Sequence, residues 1–274
     1  MFTIQAVWDD SVAFMRRERA LIVPLALATL GLGNMVVTLA QATSNANPAN
    51  PATIGLQLLV LVGAIWITIG KLGLIALALR SQFSVGEALK LGAQRLGVYI
   101  LIAIMLALAL SLLLVPLAPQ LAPQMAQLQR NDFSHLHIAG WARLWILALA
   151  LLVIFVSTRL FVLEAFIVDR KGSPIALLKQ SYDATRGVFW RLLLFTLAFP
   201  LFAFILAAAI SASFGSIFAI IGKLLDTPFT GKVLEALVQS ILAAGLGAVE
   251  AVFTAKAYQR LTRGQTSKAL FSQN

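Results

Sequence analysis

Residues 98–118 read VYILIAIMLALALSLLLVPLA and contain no charged side chain. About 20 apolar residues in an α-helix cross the hydrocarbon core of a bilayer, so this stretch is long enough to span a membrane. Further stretches at 20–40, 54–79, 141–168, 190–221 and 233–257 meet the same requirement. The sequence therefore predicts an all-α, polytopic membrane protein with six transmembrane helices.

The composition supports this class and excludes several kinds of function. Hydrophobic residues make up 60% of the chain and charged residues only 12%, whereas soluble domains contain about 25% charged residues. The chain has no cysteine, which excludes disulfides, thiolate metal sites and thiol catalysis. Because the segments between spans are short, we predict a single membrane domain over residues 1–274 with a flexible tail at 264–274.

Lys and Arg are distributed unevenly between the two ends of the spans. Fifteen of the 21 lie on the side that holds both termini, and four lie on the opposite side. The positive-inside rule therefore predicts cytoplasmic termini, and the short loops favour a bacterial inner membrane. A cleaved signal peptide ending at Ala40-Gln41-Ala42 is the alternative, but the preceding apolar run exceeds the roughly 7–15 residues of a secretory h-region.

The basic residues flank membrane spans and lack an aromatic platform for nucleic-acid bases. We therefore expect membrane lipids with anionic headgroups as partners, together with a protein partner or a second copy of the chain, and no nucleic acid. The residues predicted to contact headgroups or the interface are Arg80, Lys90, Arg95, Arg170, Lys179, Arg186, Trp190, Arg191 and Arg260.

The chain contains an internal repeat. The segment from Ser84 to Tyr99 aligns with the segment from Ser173 to Phe189 with one residue of gap, and the N-terminus forms a looser third copy. We predict three units at about 3–80, 84–169 and 173–260, each consisting of an interfacial helix and a helical hairpin.

Local signals mark where the interfacial helices of the second and third copies begin. Ser84 and Glu87 have the spacing of a capping box, and Ser173 is followed by Pro174, which suits the first helical position. Gly97 and Gly187 each precede a span and predict a break there. The alternative is that these short helices are only the ends of long tilted spans.

Four charged residues, Lys71, Arg159, Glu164 and Glu250, lie inside apolar spans and are the candidate functional residues. Lys71 lies 13 residues before Ser84 and Arg159 lies 14 before the matching Ser173. If the repeats surround one axis, Lys71, Arg159 and Glu250 come level, and span four adds Glu164. We predict one intramembrane polar cluster.

Three interpretations of this cluster are open. It is an ion-pair network between the repeats, a site for an anionic headgroup or transported ion, or a set of unpaired side chains that extend to the surface. Under the first two, Glu250→Ala removes one partner of a buried charge, at a cost of about 3–5 kcal/mol.

Small residues at 207–216 and 243–248 predict that spans five and six are central and tightly packed. The alternative role for Ser211, Ser213 and Ser216 is to line a substrate path. No phosphate-binding loop, GxSxG or HExxH motif is present. His135, His137 and Asp132 lie in an outward loop without further ligands, so we predict no catalytic residue, metal site or cofactor.

Residues 158–165 read TRLFVLEA, residues 172–181 read GSPIALLKQS, and residues 185–191 read TRGVFWR. This pattern resembles the glycerophosphoryl diester phosphodiesterase membrane-domain family, in which an Arg in a span, an apolar-Glu step, a short helix and a Trp-Arg entry recur. The resemblance covers about 158–191 well and the six-span layout more loosely. The positions it marks as recurring are Arg159, Glu164, Ser181, Arg186, Trp190 and Arg191.

In that family the membrane region can be joined to a soluble phosphodiesterase barrel with metal-binding acidic and His residues. The loops of this chain contain nothing of that barrel, so the resemblance implies a stand-alone membrane module linked to lipid or envelope biology. It does not imply the enzyme activity.

Three functions remain open from the sequence. The first is a non-enzymatic membrane protein that packs against lipids or a partner complex and organises it. The second is a small-solute or lipid transporter or channel that uses the intramembrane charges, because repeats and broken helices are typical of transporters. The third, an intramembrane lipid-modifying enzyme, lacks a visible nucleophile–base pair.

Overall fold

A computed structural model describes residues 2–46, 53–80, 82–121, 139–224 and 227–271, which form helices and no strand. The first span contains α2 (Arg19–Ala26) and α3 (Leu32–Ala46), joined through a π-helical turn at Leu27–Gly31. A 3₁₀ turn at Val115–Leu117 joins α5 to α6. The other helices are α1 (Ile4–Arg17), α4 (Thr53–Leu79), α5 (Val85–Leu114), α6 (Ala118–Leu121), α7 (Gly140–Arg159), α8 (Leu163–Asp169), α9 (Pro174–Thr185), α10 (Phe189–Leu224) and α11 (Pro228–Phe271).

Six helical segments in this description are long and apolar enough to cross a membrane: 19–44, 53–79, 85–120, 140–169, 189–224 and 230–263. The prediction of an all-α polytopic membrane protein is therefore confirmed. α1 packs against the last part of α11, where Arg260 donates to Asp10 at 2.6 Å. We call the side of the bundle formed by Ile4–Arg17 and Lys256–Arg263 the terminal face.

The predicted helix starts at Ser84 and Ser173 are confirmed. The Ser84 amide donates to Glu87 Oε2 at 2.8 Å, and the Glu87 amide donates to Ser84 Oγ at 3.3 Å, which completes the capping box. Ser173 Oγ accepts from the Ala176 amide at 3.3 Å. These side chains satisfy backbone donors that have no partner within the helix.

The two predicted glycine breaks have different outcomes. A turn at residues 186–188 separates α9 from α10, as predicted from Gly187. The break predicted at Gly97 is wrong, because α5 is one continuous helix from Val85 to Leu114. A glycine inside a helix costs only about 0.5–1 kcal/mol relative to alanine, so Gly97 alone does not end the helix. The alternative of a long span end is therefore correct for the second unit.

The helix α9 lies against the bundle through Leu177, Ser181 and Ala184, which are buried. Ile175 and Tyr182 of the same helix are exposed. Ile175, which is 68% exposed, is thus left to contact the surroundings of the bundle.

The main hydrophobic core lies near the terminal face. It contains Leu72–Ala78 of α4, Val162–Val168 and Ala251–Leu261 of α11, with Val7 and Phe14 from α1. Phe195 stacks on Phe253 with ring centroids 3.7 Å apart. Close packing therefore holds the spans together at one end, and much of the remaining apolar surface faces outward, as lipid permits.

Span six is central, but the prediction that span five is also central is wrong. In the most apolar 18-residue stretch of span six, 39% is buried inside the protein. In the corresponding stretch of span five, in α10, only 6% is buried. Ser213 and Ser216 are exposed on α10. Small residues permit close packing without requiring it, and α10 packs mainly on α7 and α11.

Residues 122–138, with His135 and His137, lie outside the described residues. α11 extends to Phe271 and includes most of the segment predicted to be a flexible tail. The three-unit repeat stays a prediction.

Candidate functional site

Three of the charged residues inside the spans form a cluster of ion pairs. Lys71 Nζ lies 3.0 Å from Glu164 Oε1 and 3.2 Å from Glu250 Oε1. The side chains come from α4, α8 and α11, which belong to spans two, four and six. Charges inside a span are stable when they are paired, and the Lys71 ammonium pairs with both carboxylates. Together the three side chains carry one net negative charge when all are ionised. We call Lys71, Glu164 and Glu250 the charged triad.

The backbone around the triad explains why these side chains meet. α7 ends at Arg159 and α8 begins at Leu163, so a turn interrupts span four and redirects Glu164. Glu164 lies in the first turn of α8, where the exposed N–H groups of the helix favour a negative charge. Gly70 precedes Lys71, and a Cβ there would overlap Thr29, so α4 packs directly on span one.

The charged triad lines a cavity of about 610 Å³ that is bounded by spans two to six. The other polar residues in its wall are Tyr99, Ser157 and Thr196, and the remaining lining is apolar. Cavities of roughly 300–1,000 Å³ with a mainly apolar wall and a few polar groups are typical of small-molecule sites. This inner cavity has the character to accept a molecule with a polar group and an apolar body.

Arg159 lies apart from the triad, although the sequence placed it in the same cluster. Its guanidinium carbon lies 4.7 Å from the ring centroid of Tyr182, 4.8 Å from that of Phe189 and 5.3 Å from that of Phe155. The physical reason is the break after Arg159, because residues on either side of a turn no longer follow one helical period. Arg159 therefore faces α9 and the start of α10.

Arg159 lines a second, larger cavity of about 1470 Å³, which reaches the terminal face. We call it the basic cavity, because its wall carries more cationic side chains than carboxylates. The cations are Arg159, Arg186, Arg191, Lys256, Arg260 and Arg263, and the carboxylates are Asp10 and Asp183. The aromatic side chains Phe155, Phe189 and Trp190 also line it.

The residues predicted to meet headgroups fall into two groups. Lys90, Lys179, Arg186 and Trp190 are exposed, with Trp190 at 79%. The other side chains have contacts within the protein or a buried atom. Arg80 lies 3.6 Å from Asp169, and Arg170 donates to Gln180 at 3.0 Å. Arg191 donates to the Phe2 carbonyl, Arg260 donates to Asp10, and Arg95 Nε is buried. The structure brings Arg186, Trp190, Arg191 and Arg260 together in the wall of the basic cavity.

The sequence reasoning missed two carboxylates at the terminal face. The hydrogen bond from Arg260 lowers the pKa of Asp10. Tyr258 donates to Asp169 Oδ2 at 2.6 Å. The partners are 250 and 89 residues apart in the chain, so no local spacing indicated either pair.

Within the described ranges, no group of three or more His, Asp or Glu is placed to hold a metal ion. Comparisons with protein-family models, with curated proteins and with solved structures find no match to this chain. The function is therefore argued from the two cavities and the charges around them.

Proposed function

We propose that this integral membrane protein is non-enzymatic, binds lipids of the surrounding bilayer, and has a structural or organising role in the membrane or in a partner complex. The observation that carries the proposal is the inner cavity. It combines an apolar wall with the polar groups of the charged triad. A lipid has the same division between an apolar chain and a polar head, and five of the six candidate spans line the cavity.

The proposal extends to orientation and compartment. The terminal face carries α1 and the basic end of α11, with Arg16, Arg17, Lys256 and Arg263. The excess of Lys and Arg at this end of the spans supports cytoplasmic termini in a bacterial inner membrane. Anionic headgroups at that surface attract such residues by about 1 kcal/mol each.

We also propose that this chain belongs to the glycerophosphoryl diester phosphodiesterase membrane-domain family. Five of its six recurring positions line the cavities described above: Glu164 belongs to the charged triad, and the basic cavity is lined by Arg159, Arg186, Trp190 and Arg191. The sixth, Ser181, donates to the Arg159 carbonyl at 3.2 Å. The recurring positions thus share a neighbourhood in the structure.

Native mass spectrometry of the full chain from mild detergent tests lipid binding in the inner cavity. Ala103 of α5 lines this cavity, so Ala103→Trp should fill it and reduce the amount of retained lipid. Ala109→Trp is the matched control, because Ala109 lies on the same helix, is exposed, and lines neither cavity. Equal lipid retention by both variants, or none by the unmodified protein, would contradict the proposal.

Transport of a small solute or lipid is the second candidate, because the charged triad faces a cavity instead of being sealed by packed side chains. The break in span four and the π-helical turn in span one also resemble the discontinuous helices of transporters. Proteoliposomes loaded with fluorescent lipid or with a pH dye would test this function. Movement that depends on Lys71 would favour transport, and its absence would favour the organising role.

A further inference from the structure

Arg159 is a cation that no carboxylate of the described residues neutralises. Its Nε and Nη1 atoms are buried, and neither has a hydrogen-bond partner among the residues that the structure describes. The ion pairs within this part of the chain do not include Arg159. A buried hydrogen-bond donor without an acceptor is unfavourable. We therefore expect the Arg159 N–H groups to bind an acceptor that comes from outside the protein.

The position of Arg159 is set by its surroundings. The Arg159 carbonyl accepts hydrogen bonds from Ser181 Oγ at 3.2 Å and Thr185 Oγ1 at 3.1 Å, which fix the end of α7 to α9. The rings of Phe155, Tyr182 and Phe189 surround the guanidinium. Aromatic faces stabilise the positive charge but do not replace an anionic acceptor for its N–H groups.

The other charged side chains of the basic cavity also favour the binding of an anion. Asp10 is already bonded to Arg260, which leaves Asp183 as the other carboxylate of this wall. The cations of the wall other than Arg260 are Arg159, Arg186, Arg191, Lys256 and Arg263. A cavity with low-dielectric walls and an excess of one charge concentrates ions of the opposite charge.

We infer that the basic cavity binds a phosphate group, with Arg159 as its central contact and Arg186 as a second contact at the exposed side. A phosphate offers several oxygens that cationic side chains from different helices share, and the planar guanidinium matches its geometry. Trp190 in the same wall is 79% exposed, and exposed Trp is typical of the headgroup level of a bilayer. The source of the phosphate is the headgroup of an anionic phospholipid, so this inference rests on the lipid-binding function proposed above.

Binding is measured with the full chain in mild detergent, by native mass spectrometry and by the shift in Tm as each probe is added. The probes are phosphatidylglycerol, diacylglycerol with the same acyl chains, and inorganic phosphate. We expect phosphatidylglycerol to bind and to raise Tm, and diacylglycerol to do neither, because it lacks the phosphate. Inorganic phosphate that displaces phosphatidylglycerol and stabilises the protein equally would support the phosphate site but overturn the lipid as its source.

The variants Arg159→Gln and Arg186→Gln test the two contacts separately. Each should weaken phosphatidylglycerol binding by about tenfold, because each removes a charge-assisted hydrogen bond. Lys171→Gln is the matched control, since Lys171 is exposed, lies next to α9 and lines neither cavity. If Arg159→Gln does not fold, Arg186→Gln decides the question, because its side chain is exposed.

Two results would overturn the inference: diacylglycerol binding as well as phosphatidylglycerol, or unchanged phosphatidylglycerol binding in both variants. These failures are distinct from failure of the proposed function. A protein that still retains lipid, and loses it with Ala103→Trp, keeps the lipid-binding role without a phosphate site. A protein that retains no lipid loses both.

Discussion

The inner cavity and the basic cavity differ in whether their cation has a carboxylate partner. In the inner cavity, Lys71 lies within 3.0 Å and 3.2 Å of two carboxylates from other spans. In the basic cavity, Arg159 is surrounded by three aromatic rings and has no carboxylate within ion-pair distance among the described residues. The first cation is neutralised by the fold, and the second is left for a ligand.

This difference indicates what each charge contributes. A charged group that is paired across three spans fixes their relative positions, and its loss is felt as lost stability. A cation without a carboxylate partner contributes little to the fold through its charge and is available for binding. The following variants test the comparison, in order of decreasing expected effect.

Lys71→Met has the largest expected effect on stability. It leaves Glu164 and Glu250 facing each other without the ammonium between them, and breaking such a buried arrangement costs about 3–5 kcal/mol. The midpoint of thermal unfolding in detergent should fall strongly. Lys171→Met is the control, because it removes an exposed Lys; similar midpoints for the two variants would show that the triad does not stabilise the bundle.

Glu250→Ala should destabilise the protein less than Lys71→Met does. Lys71 keeps its contact with Glu164, and the Glu250 side chain is 39% exposed, compared with 18% for Glu164. We expect a loss of about 1–3 kcal/mol, the cost of removing one hydrogen bond to a charged group. This is less than the cost of about 3–5 kcal/mol expected from the sequence, because Glu250 is partly exposed. The same unfolding measurement applies, and an unchanged midpoint and expression level would refute the role of Glu250.

Gly92→Ala tests the packing that holds α5 against α4 beside the triad. A Cβ at Gly92 would lie 2.6 Å from the Ile69 carbonyl oxygen and 3.0 Å from the Gly73 nitrogen. Both are backbone atoms, so the helices must separate, at a cost of about 1–3 kcal/mol.

Gly97→Ala is the control on the same helix, because none of the residues that the structure describes comes within 4 Å of its Cβ position. It should stabilise α5 slightly, by about 0.5–1 kcal/mol, since Ala is the better helix former. The two substitutions therefore have opposite expected signs in thermal unfolding. A loss of stability in both would argue against the close contact at Gly92.

Asp10→Asn has the smallest expected effect, about 1 kcal/mol or less, because the Asp10–Arg260 pair is partly exposed. The pKa of Asp10 is lowered from 3.8 by the hydrogen bond from Arg260, so the folded state favours the ionised carboxyl. Its contribution is present above that value and is lost as the pH falls through the lower folded-state pKa.

The difference in stability between the unmodified protein and Asp10→Asn should therefore be constant near neutral pH and shrink below about pH 4. Unfolding measured in detergent across this range checks the sign. Asp9→Asn is the control at the neighbouring exposed position. A difference that grows as the pH falls would contradict the assigned pair.

The membrane class, the six spans and the helix starts at Ser84 and Ser173 follow from the sequence alone. The reason is that span length and capping depend on residues close together in the chain. The hydrocarbon core of a bilayer, about 30 Å thick, sets the length of a span. An N-cap side chain accepts a hydrogen bond from a backbone N–H two or three residues away. Identifying Lys71, Arg159, Glu164 and Glu250 as unusual also needed no structure, because charges in apolar spans are rare.

Which of these charges meet was decided only by the tertiary structure. Glu164 and Glu250 are 93 and 179 residues from Lys71, and the rotation of each helix about its axis determines whether the side chains face one another. The turn after Arg159 separates it from Glu164, and the packing of α9 and α10 surrounds it with aromatic rings. Hydropathy measures how long a span is, but the direction in which its side chains point depends on the helices beside it.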